Sequence, residues 1–161
     1  MKTHKLIEGM TEYPIGENIV ANMPVIANMG KVLKEFIAKN YPKTSHINLL
    51  CKGSSGAIIA GLVSVALRKN KKRGISIFHI KKLGEKAHGS GSFDEDIFDL
   101  NSIVVIIDDF IDTGSTIKSI LLRVDEVHPA TKAKIHILCV TGNGILSSIV
   151  KRRFVHAIIS K

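Results

Sequence analysis

The chain has 161 residues and a mass of 17.6 kDa, which fits a single domain with a full hydrophobic core. Its composition of 45% apolar and 23% charged residues excludes a disordered chain, and no apolar stretch approaches the roughly 18–20 residues of a membrane span. The net charge is +9, because 23 basic residues outnumber 14 acidic ones.

The predicted secondary structure alternates between helices and strands. Apolar residues at three- and four-residue steps indicate helices, and short β-branched runs indicate strands. In chain order, the predicted elements are the helix Asn22–Asn40, the strand Ile47–Cys51, the helix Ala57–Arg68, the strand Ile75–Ile80, the strand Ile103–Ile107, a helix through Ile117–Val124, the strand Lys134–Val140, the helix Ile145–Arg152 and the strand Phe154–Ile159. This alternation predicts an α/β fold with a Rossmann-like, open and mainly parallel sheet of about five strands and helices on both faces.

Four other segments lack this periodicity. Residues 1–20 are expected to be irregular, and residues 141–144 to form a turn. Residues 68–73 include five basic residues; their simplest role is a favourable charge at a helix end, although a contact with a polyanion stays open. Residues 81–96 form a long loop rich in charge, Gly and Ser, and loops of that length often bind ligands.

The sharpest motif follows the strand Ile103–Ile107, where the adjacent acids Asp108 and Asp109 come shortly before a helix. Ligands of open α/β sheets bind at the carboxyl ends of the strands. The turn over residues 112–116 supplies hydroxyls and the N–H groups of a helix start, which together bind anions. This combination suits a ligand with neighbouring hydroxyls and a phosphate, such as a ribose 5-phosphate. A plain capping role for the acids is disfavoured, because burying adjacent carboxylates is costly.

The segment IVVIIDDFIDTGST over residues 103–116 resembles the signature of type I phosphoribosyltransferases that binds 5-phosphoribosyl 1-pyrophosphate (PRPP). The resemblance implies that Asp108 and Asp109 hydrogen-bond the ribose hydroxyls and hold Mg²⁺ through water. It implies that Asp112 accepts a proton from the incoming base. It also implies a loop for the 5-phosphate, formed by Asp112, Thr113, Gly114, Ser115 and Thr116.

Two further segments resemble loops of the same family. The pyrophosphate loop of the family follows the first core strand, as do Lys52, Gly53, Ser54 and Ser55, although these residues also suit an ordinary turn between strand and helix. Residues 81–91 resemble the mobile catalytic loop of the orotate branch. That resemblance implies catalytic roles for Lys82, Lys86 and His88 around the leaving pyrophosphate. Taken alone, the segment is also typical of a solvated loop.

The resemblance covers residues 47–143 and implies a PRPP-dependent pentosyltransferase of nucleotide metabolism. Such an enzyme transfers 5-phosphoribosyl from PRPP to a nitrogenous base and releases pyrophosphate, with Mg²⁺ as cofactor. It further implies the type I phosphoribosyltransferase fold in one domain over residues 1–161, and a homodimer. A small hood is expected from residues 1–20, with the C-terminal tail as a further candidate.

The accepted base stays open between purines and pyrimidines such as orotate. The orotate branch usually has Thr where this chain has Asp112, whereas the segment with Lys86 and His88 is similar to that branch.

A second function stays open on the same fold: a regulatory protein that senses PRPP or a nucleotide and binds nucleic acid. Residues 94–112 hold seven acids and no Lys or Arg, so the rest of the chain carries 23 basic and seven acidic residues, a net charge of +16. Such a charge suits a nucleic acid. The enzyme is favoured because the chain has no nucleic-acid motif and only 5% aromatic residues. It also has all three residues expected of the catalytic loop, Lys82, Lys86 and His88.

The two cysteines indicate the compartment. Cys51 and Cys139 form no disulfide or zinc motif, and the N-terminal residues lead into no apolar segment of a secretion signal. We therefore expect a reduced, cytoplasmic protein without a membrane segment.

Overall fold

The computed structural model describes residues 19–68, 73–80, 102–111, 113–127, 135–139, 141–142 and 156–159. Within these ranges, the elements in chain order are α1 (Ile19–Asn40), β1 (His46–Cys51), α2 (Gly53–Arg68), β2 (Gly74–His79), β3 (Ser102–Ile107), β4 (Phe110–Ile111), α3 (Ser115–Val127), β5 (Ile135–Cys139), β6 (Thr141–Gly142) and β7 (His156–Ile159).

The main sheet has five parallel strands in the order β2-β1-β3-β5-β7. Strand β3 lies at the centre, and its Ile106 pairs with Leu50 of β1 on one side and Ile137 of β5 on the other. Because all five strands run in the same direction, their carboxyl ends meet at one edge of the sheet. The predicted open parallel sheet of about five strands is confirmed.

Helices cover both faces of this sheet, also as predicted. Side chains of a strand point alternately to opposite faces, so β1 and β3 contribute to two separate cores. The core under α1 and α2 includes Ile26, Met29, Leu33, Ile59, Val63, Ile47, Leu49, Val105 and Ile107. The core under α3 includes Ile117, Ile120, Val124, Leu50, Val104, Ile106 and Ile137. Strand β3 is therefore buried on both sides, which explains its continuous apolar sequence.

Two helices begin earlier than the periodicity predicts. Helix α1 begins at Ile19 rather than Asn22, so the last two residues of the predicted irregular segment 1–20 are helical. Helix α2 begins at Gly53 rather than Ala57, and residues 53–56 form its first turn. Apolar periodicity does not detect this turn because its Gly and Ser residues are not apolar.

A second, two-stranded sheet lies just beyond the main one. The predicted turn over residues 141–144 is wrong at its start, because Thr141 and Gly142 form β6 and pair in parallel with Phe110 and Ile111 of β4. The predicted helix Ile145–Arg152 lies outside the described residues. Of the predicted strand Phe154–Ile159, residues 156–159 are described and form β7.

Helices α1 and α2 pack closely where Gly30 faces Ala66. A Cβ atom placed at Gly30 would lie 2.6 Å from the Cβ atom of Ala66, whereas a Cβ atom at Gly61 of α2 would meet nothing within 4 Å. None of the helices in the described ranges combines the length and apolar character needed to cross a bilayer.

These two glycines give a matched test of the packing. We expect Gly30→Ala to lower the free energy of unfolding by about 1–3 kcal/mol, because the added methyl group forces the two helices apart. Gly61→Ala should raise it by about 0.5–1 kcal/mol, because alanine favours a helix and meets no obstacle there. Urea denaturation of both variants measures the difference, and equal effects would contradict the close packing.

Candidate functional site

The centre of the candidate site is the pair Asp108 and Asp109, which lies in the two-residue gap between β3 and β4. Their side chains are only 8% and 5% exposed. The N–H group of Asp108 donates to the carbonyl of Leu138 at 3.1 Å, so it extends the ladder between β3 and β5 by one residue. The N–H group of Asp109 donates to Oδ1 of Asp108 at 3.1 Å. The backbone of the sheet thus fixes both acids at its carboxyl edge.

Burial and mutual repulsion set the protonation of this pair. Burial, the charge of Asp109 and a hydrogen bond with the Asp109 side chain together raise the pKa of Asp108 to about 7. When two carboxyl groups lie close together and away from water, ionisation of both is unfavourable. In the absence of a ligand, the pair therefore holds a proton near neutral pH. A hydroxyl donor or a cation would favour its loss.

Two thiols lie near the acids, Cys51 in the core under α1 and α2 and Cys139 in the core under α3. Cys51 ends β1, Cys139 ends β5, and both side chains are fully buried. Burial and the charge of Asp108 raise the pKa of Cys51 to about 11. Burial and the charges of both acids raise the pKa of Cys139 to about 12. Both thiols are therefore neutral at physiological pH, and neither is a thiolate nucleophile there.

The start of α3 provides the predicted anion-binding groups. Gly114 has a φ of 72°, a conformation that suits glycine, and its carbonyl accepts the helical bond from the N–H group of Lys118 at 2.9 Å. The N–H group of Ser115 donates to Oγ1 of Thr113 at 3.3 Å. Thr113 and Ser115 are exposed and Thr116 is half-buried, so their hydroxyls are accessible. The first N–H groups of a helix lack partners within it, and they bind anions.

The start of α2 provides a second set of such groups. Gly53 has a φ of 75° and turns the chain from β1 directly into the helix. Ser54 is exposed and Ser55 is half-buried in the first helical turn. A Cβ atom at Gly56 would lie 3.4 Å from the carbonyl oxygen of Ile107, so this turn rests on the end of the central strand. The predicted pyrophosphate loop is thus a helix start rather than an irregular loop.

Lys52 links the two helix starts. Its Nζ atom donates to Oγ of Ser119, which lies in the second turn of α3. The segment around Lys52 and the start of α3, which follows Asp108 and Asp109, therefore meet at one edge of the sheet. The predicted catalytic residues Asp112, Lys82, Lys86 and His88 lie outside the described residues.

Three residues of this edge were absent from the predicted site: Cys51, Cys139 and Ser119. The observed strand order places the two thiols beside the acid pair, because Cys51 ends β1 and Cys139 ends β5, the neighbours of β3. Ser119 lies four residues after Ser115, so the helical period places both on one face.

Comparisons with known proteins give the family. The family model described as PRTase-CE matches residues 2–154, nearly the whole chain. No curated protein sequence is significantly similar to the chain.

Several solved structures share the fold. A hypoxanthine-guanine phosphoribosyltransferase of L. donovani has a TM-score of 0.54 and 16% identity, over 86% of this chain and 78% of that chain. A hypoxanthine phosphoribosyltransferase from Staphylococcus aureus has a TM-score of 0.50 and 17% identity, over 86% and 75%. For a Leishmania tarentolae enzyme in complex with GMP, the TM-score is 0.48 and the identity 19%, over 72% of this chain and 65% of that chain. The chain thus spans less than two thirds of this last structure.

The family match and the shared fold place the chain in the type I phosphoribosyltransferase fold class. Within that class, the chain belongs to the PRTase-CE family.

The raised pKa of Asp108 predicts how stability depends on pH. The folded-state pKa of about 7 exceeds the usual 3.8, so the folded protein binds more protons than the unfolded chain between these values. Stability should therefore fall as the pH rises from about 4 to 7. Asp108→Asn removes this charge, and we expect the gain in the free energy of unfolding to be larger at pH 8 than at pH 5 by about 1–3 kcal/mol.

Urea denaturation of both proteins at the two pH values measures this difference. Glu35→Gln, an exposed substitution on α1, is the control and should change neither value. A gain that is equal at pH 5 and pH 8 would contradict the titration of Asp108.

Proposed function

We propose that the protein transfers the 5-phosphoribosyl group of PRPP to a purine base and releases pyrophosphate. One observation supports this function above all: two buried carboxyls end the central strand, a few residues before the exposed hydroxyls that open α3. The purine acceptor is supported by two of the solved structures with this fold, a hypoxanthine-guanine and a hypoxanthine phosphoribosyltransferase. Orotate is the second candidate.

The proposed roles follow from the chemistry of the two halves of the ligand. Asp108 and Asp109 accept hydrogen bonds from the ribose 2- and 3-hydroxyls, which offsets the cost of burying the acids. The 5-phosphate accepts from the N–H groups of Gly114 and Thr116 and from the hydroxyls of Thr113, Ser115 and Thr116, while the N–H group of Ser115 donates to Thr113. Lys52, with Gly53, Ser54 and Ser55, holds the pyrophosphate at the start of α2. The ligand thus connects two helix starts.

The acid pair suits Mg²⁺ held through water. Within the described part of the chain, no three His, Cys, Asp or Glu side chains form a cage for a metal ion. Mg²⁺ typically keeps several waters and binds one or two carboxylates together with phosphate oxygens of the substrate. Asp108 and Asp109 fit that requirement. When bound, Mg²⁺ would neutralise part of the pyrophosphate charge.

In the proposed reaction, the bond from the anomeric carbon to pyrophosphate breaks and a bond to a ring nitrogen of the base forms. The proton of that nitrogen goes to Asp112, and the electron pair of the broken bond leaves with pyrophosphate. Lys52, Lys82, Lys86 and His88 stabilise that negative charge. The chain itself aligns the two reactants and excludes water. We propose one domain over residues 1–161 with a hood from residues 1–20, to which the C-terminal tail is a further candidate, and a homodimer.

Neutralising one acid tests the diol site. We expect Asp109→Asn to lower kcat/KM for PRPP by about 100-fold, because the amide no longer accepts from both hydroxyls and no longer attracts the cationic sugar. Thermal unfolding should show that the variant still folds. Glu126→Gln is the matched control and should keep full activity. A fully active Asp109→Asn variant would refute the assignment.

A panel of bases tests the acceptor. We expect release of pyrophosphate from PRPP with Mg²⁺ and hypoxanthine or guanine, and at least tenfold less with orotate or uracil, because the fold neighbours act on purines. Preference for orotate would overturn the purine assignment. If PRPP binds but no base reacts, the protein is the PRPP-sensing regulator that the sequence left open.

A further inference from the structure

We propose that Ser119 is a positioning residue that aims Lys52 at the pyrophosphate of PRPP. This inference rests on the proposed function, and it concerns a residue outside the PRPP signature. The observation that carries it is the hydrogen bond from Nζ of Lys52 to Oγ of Ser119, between residues 67 positions apart in the sequence.

The bond holds an otherwise mobile group at the place where it is needed. A lysine side chain has four rotatable bonds, and ordering it costs conformational entropy. Lys52 follows β1 and precedes the start of α2, and its side chain crosses to α3. Because the hydrogen bond to Ser119 already orders the Lys52 side chain, its conformational entropy is lost before the ligand binds rather than during binding.

The chemistry of Ser119 suits this task better than an acid would. An ammonium group has three N–H donors, and the single acceptor of Ser119 leaves the others for phosphate oxygens. The hydroxyl is neutral, so Lys52 keeps its full positive charge. In the described part of the chain, Lys52 forms no salt bridge that would compete with a phosphate.

The position of Ser119 on α3 directs Lys52 toward the phosphate-binding end of that helix. Ser119 lies four residues after Ser115, so both are on the same face, about one turn apart. Ser115 belongs to the helix start proposed for the 5-phosphate. Ser119 therefore fixes the distance between the charge on Lys52 and that helix start, which sets how the two ends of PRPP are held.

The test separates positioning from a structural role. We expect Ser119→Ala to raise KM for PRPP by about 3- to 10-fold, as loss of one ordinary hydrogen bond predicts, with KM for the base unchanged. Ser119→Thr keeps the hydroxyl and should restore the value. In a Lys52→Met background, Ser119→Ala should have no further effect, because Ser119 acts through Lys52.

A matched control is Ser64→Ala. Ser64 is a half-buried serine of α2 whose hydroxyl bonds the carbonyl of Gly61 at 2.6 Å, away from the site. It should leave KM for PRPP unchanged. An additive effect of Ser119→Ala in the Lys52→Met background, or no effect of Ser119→Ala alone, would overturn the inference.

Binding of inorganic pyrophosphate distinguishes this inference from the proposed function. We expect isothermal titration calorimetry to show a 3- to 10-fold weaker Kd for Ser119→Ala than for the unchanged chain. If no base reacts but this weakening is observed, the transfer reaction is refuted while the positioning role stands. If transfer occurs but pyrophosphate affinity and KM are unchanged, the positioning role alone is refuted. Absence of pyrophosphate binding would also refute it.

Discussion

The burial of two adjacent carboxyls at the end of β3 is the constraint around which this edge of the molecule is built. Desolvation and repulsion make the doubly ionised pair unfavourable, and the shift of the Asp108 pKa to about 7 reports that cost. The surrounding sheet keeps the pair in place because β3 is buried on both faces and hydrogen-bonded on both sides. A ligand that donates hydroxyl groups removes the unfavourable energy. Burial of the ionised pair lowers the stability of the folded protein, and relief of this unfavourable free energy would favour binding of a diol.

The neighbours of the pair complete the electrostatic pattern. Helices α2 and α3 both begin at this edge, α2 at Gly53 and α3 directly after Gly114, and both glycines have a positive φ. Their first N–H groups present positive charge beside the acids, and Lys52 adds a full positive charge between them. The neutral thiols of Cys51 and Cys139 add no charge of their own at physiological pH. The edge therefore has a negative centre flanked by two positive sites.

The sequence predicts the sheet well, because the physical signals for it are local and strong. The apolar run Ile103–Ile107, followed by two acids, indicates a central strand, and the structure has that strand with both acids buried directly after it. The start of α2 is missed because Gly53 and the two serines after it carry no apolar period. Strand β6 is missed because a two-residue strand depends on pairing with β4, which is a long-range contact.

The same reasoning limits the prediction of the site. Side chains within one motif, such as Asp108 and Thr113, can be assigned to the candidate site from their spacing in the sequence. The bond between Lys52 and Ser119 joins distant parts of the chain, so only the packing of α3 against the sheet reveals it. The two thiols are of intermediate difficulty to predict. Their position beside the acids follows once the order of the parallel strands is known.

The pairing of β4 with β6 restricts the number of residues that can separate β3 from β4. Asp108 and Asp109 fill the two-residue gap between β3 and β4, and the buried Ile111 anchors the far side of that gap in the core under α3. An insertion or deletion of one residue in the gap would turn Ile111 to the opposite face or shift the β4–β6 register. A change of chain length in this gap would therefore disrupt the edge, whereas replacement of a side chain would leave its backbone intact.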